Sequence, residues 1–341
     1  MKDTLVSEKT IALSIAHEIL TTSVKIPAIP GNIRRIFKMV RQPEDKIDIP
    51  EFAKLVESDP GLFTRILQLA NSQYYSGMEK SVTLRSAITR IGLKETVNTV
   101  CLQFYKQLLP RFPDIEGFSY TDFWAFSWAC AVANRRLGHL ILGMDVLPGD
   151  LYMAGMLQGL GKLLMAIHFP DQFSFAIARA QTFEHPLYEV ERELFGTTDA
   201  LVAAQVLKTW QLPVNICEGV GFSQMPDQAP PEYILIAGLT QFAYAIAREA
   251  QIGASGDGST LCLAETFLGQ NPNLNIAKKE TQDALVKEIL ITLNGLGQSL
   301  VSGSKHQMTK LGKAARKERV DPVPKKARKK GVLGWVKSWL N

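Results

Sequence analysis

The stretch Ala154-Gly155-Met156-Leu157-Gln158-Gly159-Leu160-Gly161-Lys162 decides how the chain is read. It has the frame of a helix: a small-residue turn, two apolar residues, a Gln-Gly pair, one apolar residue, then Gly-Lys. The chemistry turns on the central pair. A glutamine amide is a poor ligand for a divalent metal, and glycine offers no side chain at all.

Working outward, helical signals run through almost the whole chain. Leu62, Ile66, Leu69 and Ala70 recur at helical spacing, as do Leu84, Ala87, Ile88 and Ile91. Asp59-Pro60 reads as an N-cap followed by proline at the first helical position, and Gly92 as a C-terminal glycine. The segment from Asp122 to Leu140 is apolar on more than one side and is expected to run through a core. Pro170, Pro186 and Pro213 each begin or precede a further helix, and no β-hairpin alternation is found. The expected fold is all-α: a multi-helix fold in two helical subdomains, with a basic, partly disordered C-terminal tail ending in a short amphipathic helix.

At 341 residues, with 46% apolar and 21% charged residues, there is ample material for a core. Lys2, Asp3, Glu8, Lys9 and Glu18 interrupt any signal-peptide apolar region, and no apolar run is long enough to cross a bilayer. The four cysteines, Cys101, Cys130, Cys217 and Cys262, are scattered among apolar neighbours, as expected of buried thiols in a reducing cytoplasm. The net charge of +5 conceals an asymmetry. Residues 305–341 hold twelve Lys+Arg and two acids, a charge of +10, which leaves −5 on residues 1–304.

The expected organisation is an N-terminal helix over 1–23, helical subdomains over 24–117 and 118–300, a linker over 301–324 and a basic amphipathic tail over 325–341. The Gly/Ser-rich interruption from Gly253 to Ser259 reads as an exposed loop inside the second subdomain.

Several elements occur together in the first half. Pro27-Ala28-Ile29-Pro30 opens a helix. It is followed by Ser58-Asp59-Pro60, then Leu67-Gln68-Leu69-Ala70-Asn71-Ser72, Ser81-Val82, Ala87-Ile88 and Ile91-Gly92-Leu93. This order and spacing closely resemble the HDOD family of bacterial signalling proteins. The resemblance continues through Phe123-Trp124, the 154–162 frame, Glu193 to Gly196 and Trp210-Gln211-Leu212-Pro213, covering roughly Val24 to Pro226. It implies an all-helical fold related to HD metal-dependent phosphohydrolases, in proteins that generally act as signalling modules rather than enzymes.

The resemblance also locates the positions at which metal-binding relatives carry ligands. Here they hold Phe126, Gln158 and Gly159 in place of the His-Asp pair, Asp199, and Ser223 and Gln224. Asp199 alone could bind a metal well, and a lone carboxylate does not hold an ion that must activate water. The five histidines, His17, His139, His168, His185 and His306, share no ligand spacing. No catalytic residue, metal or cofactor is therefore expected. Asn71 is read as satisfying neighbouring backbone groups, and Tyr74 and Tyr75 as packing residues.

The tail combines Lys325, Lys326, Arg328, Lys329 and Lys330 with a segment that places Val332, Leu333, Trp335, Val336, Trp339 and Leu340 on one helical arc. Each basic residue near an anionic membrane contributes roughly 1 kcal/mol, and the apolar face adds insertion. Membrane docking is expected ahead of docking on the acidic body or on a partner. Nucleic acid comes last, because Trp335 and Trp339 lie on the apolar face.

The expectation is a cytoplasmic, non-catalytic HDOD scaffold that binds proteins in bacterial signalling, peripheral on the inner membrane face. The alternatives are a receptor for a signalling nucleotide in the vestigial cavity, or a residual metal-dependent phosphohydrolase.

Overall fold

Local signals set the helix boundaries. In this computed structural model, which describes residues 28–72, 75, 80–112, 114–141, 148–258, 261–271, 278–284, 286, 287 and 290, the Asp59 carboxylate accepts the Leu62 N–H at 3.0 Å with Pro60 at the first helical position. Asp48 caps the preceding helix by accepting the Glu51 N–H at 2.9 Å. Gly92, at φ 92°, ends one helix and starts the next.

The first cluster comprises α1 (Gly31–Arg41), α2 (Ile49–Glu57), α3 (Pro60–Ala70), α4 (Leu84–Ile91) and α5 (Leu93–Leu108). The second begins with α6 (Tyr120–Ile141), α7 (Pro148–Leu157), α8 (Leu160–His168) and α9 (Pro170–Phe183). It continues with α10 (Leu187–Phe195), α11 (Asp199–Thr209), α12 (Val214–Gly221) and α13 (Ile234–Glu249). Among the described residues the only β pairing outside helices is an isolated bridge between Ile115 and Phe118. The fold is all-α, as its periodicity predicts.

α6 and α7 form the most extensive helix pair, and α13 lies across both. Asn134, fully buried in α6, ties the three together. Its amide donates to the Leu151 carbonyl at 2.9 Å and to the Thr240 hydroxyl at 3.0 Å. α11 packs on α8 and α12, and α9 on α8 and α10. The motif Leu69-Ala70-Asn71-Ser72 gains a physical reason here. Leu69 and Ala70 are core, while Asn71 donates to the Ser81 carbonyl at 2.8 Å and accepts its N–H at 2.7 Å. Asn71 therefore clasps the far end of the loop leading to α4, with Arg90 donating to its side-chain oxygen at 3.2 Å.

One hydrophobic core runs through both clusters, from Ile29 to Leu268. α1 is the joint. It buries Ile33, Ile36, Phe37 and Val40 and packs on both α5 and α7, each such side chain stabilising the fold by about 1.5–3 kcal/mol. Its C-terminal Arg41 pairs with Asp150, which is 2% exposed and also accepts from the Asn215 amide at 2.6 Å. Lys94 donates to the last-turn carbonyls of Val40 and Gln42, opposite the negative end of the helix dipole. Among the described residues no helix is long and apolar enough to cross a membrane.

Removing Asp150 leaves Arg41 without its partner. Asp150→Ala should lower the unfolding free energy by about 3 kcal/mol, read as a lower urea midpoint. An unchanged midpoint would show that the joint rests on apolar contacts alone.

Candidate functional site

α6, α8, the start of α11 and the end of α12 converge on a cavity of about 410 Å³. The six positions that the family resemblance matches to ligand positions all line it: Phe126, Gln158, Gly159, Asp199, Ser223 and Gln224. The local sequence explains their placement. Thr198 caps α11 by accepting the Leu201 N–H at 3.4 Å, putting Asp199 in the first turn, where the helix N-terminus favours a carboxylate. Gly159 is the residue before α8. A Cβ there would sit 2.8 Å from the Phe123 ring. The room that an aspartate would need is filled by Phe123.

At the bottom of the cavity lies Lys162, from the Gly-Lys end of the 154–162 frame. It is 5% exposed. Its ammonium donates to the Ser255 carbonyl at 2.9 Å and to the Tyr244 hydroxyl at 3.1 Å, and stands 4.0 Å from the Asp257 carboxylate. Tyr244 in turn donates to Asp257 at 2.7 Å, and Asp257 also accepts the Leu187 N–H at 2.7 Å. Burial works against the charge, but Tyr244, Asp199 and Asp257 outweigh it and raise the Lys162 pKa above that of an ordinary lysine. This ammonium is a fixed cation in a ring of acceptors.

Asp199 is held from two sides. Gln224 donates to its carboxylate at 2.5 Å, and its own backbone N–H donates to Glu191 at 2.8 Å. Glu191 is fully buried, and its second oxygen has no hydrogen-bond partner. Burial first, then the neighbouring Asp199, raise its pKa well above the usual 4.5, so the neutral acid is favoured.

The residues present do not fit a catalytic metal. Phe126 offers a ring that packs edge-on against Tyr244 at 4.9 Å, and Gln158 turns its amide to the Gly155 carbonyl at 3.2 Å. Ser223 donates its hydroxyl to the Val220 carbonyl at 2.7 Å. Asp199 is left as a single carboxylate bonded to an amide, with an ammonium nearby. Among the described residues no group of three or more His, Cys, Asp or Glu side chains is placed to hold a metal ion. His139, His168 and His185 do not line the cavity.

Two expectations are corrected. Cys262, expected among the buried thiols, is exposed, while Cys101, Cys130 and Cys217 are buried. Residues 253–258, the described part of the Gly253–Ser259 segment read as an exposed loop, pack into the molecule: Ser255 and Gly256 are buried, and Asp257 lines the cavity. A Cβ on Gly253 would meet the Asp122 carbonyl oxygen at 2.1 Å. Its glycine allows close approach to α6 rather than mobility. The tail residues Lys325, Lys326, Arg328, Lys329, Lys330, Trp335 and Trp339 lie outside the described residues, as do the 1–23 and 301–324 segments, Tyr74, His17 and His306. Tyr75 packs against the core.

Sequence reasoning missed Glu191, Tyr244 and Asp257 and gave Lys162 no role. The lone aspartate inside a Gly/Ser run was a usable signal for Asp257. Nothing in the pattern of α10 marked Glu191.

Fold and site together define an all-α helical domain around an aromatic cavity in which, among the described residues, no cluster of metal-ligating side chains is placed. The chain belongs to the HDOD family, whose domain model matches residues 26–226. Among solved structures it is similar to an HDOD domain protein of unknown function from Geobacter sulfurreducens, with 20% identity, TM-score 0.65, and coverage of 84% of this chain and 98% of that one. It is also similar to a candidate signal transduction protein from Marinobacter aquaeolei VT8, at 20% identity and TM-score 0.69, over 87% of this chain and 66% of that one. A curated relative, an uncharacterized protein of Treponema pallidum (strain Nichols), is 20% identical over 224 residues, or 64% of this chain. This chain spans 41% of that relative's length.

The Glu191 shift has a definite sign. Above about pH 4.5 the unfolded chain releases a proton that folded Glu191 retains, so this group reduces stability as pH rises. Glu191→Gln keeps an acceptor for the Asp199 N–H and removes that loss. Its urea midpoint, relative to the parent, should climb between pH 5 and pH 7.5. A constant difference would show that Glu191 is ionised in the fold.

Proposed function

We propose that this chain is a non-catalytic HDOD signalling scaffold. Its helical body, arranged as subdomains over 24–117 and 118–300, binds partner proteins. Its basic Trp-containing tail recruits it to the inner face of the cytoplasmic membrane.

The observation that carries the non-catalytic reading is the replacement of the ligand set. A hydrolytic HD site needs an ion that polarises a phosphoryl oxygen and supplies hydroxide near neutral pH. In this cavity the fixed positive charge is the Lys162 ammonium, already bonded to Tyr244 and Ser255. It has no open coordination position and cannot acidify water as a divalent ion does.

Membrane recruitment is supported by the sequence of the tail. Five basic residues between Lys325 and Lys330 precede an arc carrying Trp335 and Trp339, while residues 1–304 carry −5. An anionic surface attracts the tail and repels the body, so the helical bundle would be held off the bilayer with its surfaces free for proteins.

Co-sedimentation tests this with full-length protein on phosphatidylglycerol-containing vesicles and on purely zwitterionic ones. Binding is expected on the anionic vesicles only, weakening with salt and falling roughly tenfold or more in Trp335→Ala/Trp339→Ala. Equal binding to both vesicle types, or none to either, would remove the membrane from this reading.

A further inference from the structure

The cavity is larger than its vestigial role requires. At about 410 Å³ it falls within the roughly 300–1,000 Å³ typical of small-molecule sites. Its walls are aromatic, with Phe118, Phe123, Phe126, Tyr188 and Tyr244 around it. Phe126 and Tyr244 stand edge to face at 4.9 Å, and Phe118 and Phe123 at 5.6 Å. Such surfaces favour a flat ring or a cation over a flexible chain.

Polarity then narrows the choice. Among the described residues, Asp199, Asp257 and Glu265 line the cavity, against one cation, Lys162. That ammonium spends its donors on Ser255, Tyr244 and the Asp257 pairing. A phosphate entering here would face three carboxylates and an already engaged ammonium. It is a poor anion site.

Acceptors remain in excess. The Asp199 carboxylate fixes the Gln224 amide with its N–H₂ inward, at 2.5 Å. The Gln224 oxygen is thereby turned away from the cavity, buried and without a hydrogen-bond partner. Gln241 is likewise engaged, its amide N–H₂ donating to the Gln224 backbone carbonyl at 3.3 Å and its oxygen accepting the Phe267 N–H at 2.8 Å. The acceptors lining the cavity for a ligand N–H are therefore the carboxylates, Asp199 first among them.

We infer that this cavity is a receptor site for a phosphate-free heteroaromatic amine of nucleobase to nucleoside size, uncharged or cationic, stacked among the aromatic walls with its amino group on Asp199. The site goes beyond the scaffold reading and does not depend on it. The vesicle experiment reads the tail and this one reads the cavity, so either can fail alone.

The test is thermal unfolding of the full-length protein with adenine, cytosine, adenosine and benzamidine, against AMP and inorganic phosphate. At least one phosphate-free compound should raise Tm by about 5 °C at a concentration roughly 100-fold above its Kd. AMP and phosphate should leave Tm unmoved. Asp199→Asn and, independently, Phe126→Leu should each reduce the affinity at least tenfold while unfolding cooperatively, so a folding defect in one variant leaves the other to decide. Three results would overturn the inference: no shift with any phosphate-free compound, a shift with AMP or phosphate equal to that of adenosine, or a shift unchanged in the variants that fold.

Discussion

Everything about the second helical cluster is organised by one buried ammonium. Lys162 is almost sealed from solvent, and an unpaired charge in that position would cost several kcal/mol. The chain answers by bringing three acceptors from two places: the Tyr244 hydroxyl on α13, and the Ser255 carbonyl and Asp257 carboxylate on the segment that follows it. Asp257 extends the network to the first turn of α10 through the Leu187 N–H. Satisfying one charge therefore pins α8, α10, α13 and the Gly253–Gly258 segment against each other. The cavity is the space that this arrangement leaves under Phe126 and Phe123.

Amide, hydroxyl and ammonium bonds of fixed geometry join the helices around two carboxylates, Asp199 and Asp257. Glu191 shows the cost. It is placed to receive the Asp199 backbone N–H, and burial there raises its pKa and favours the neutral acid, so it contributes as an acceptor and detracts as a charge.

Much of the fold was legible in the chain. Asp59-Pro60 and the Gly92 junction fixed their helix ends because caps are local, and the backbone groups they satisfy lie within three or four residues. The long apolar segment around Phe123 and Trp128 was recognisable as core because no exposed helix would be apolar on several sides. The vestigial positions were recoverable only through resemblance, since Gln158 and Gly159 have no signature of their own. Residues 253–258 were misread because glycine has two uses, turning and close approach, and composition does not separate them.

By itself, then, the sequence determined the helices, their caps, the poor metal-ligating chemistry of Gln158 and Gly159 and the charge division between body and tail, because each depends on residue type and near-neighbour spacing. Only the tertiary structure decided that Lys162, Glu191, Tyr244 and Asp257 belong together. Those residues lie up to ninety-five positions apart on the chain, and the requirement that joins them, that a buried charge be satisfied, has no period and no motif. It acts only once α8, α10 and α13 are packed around the same point.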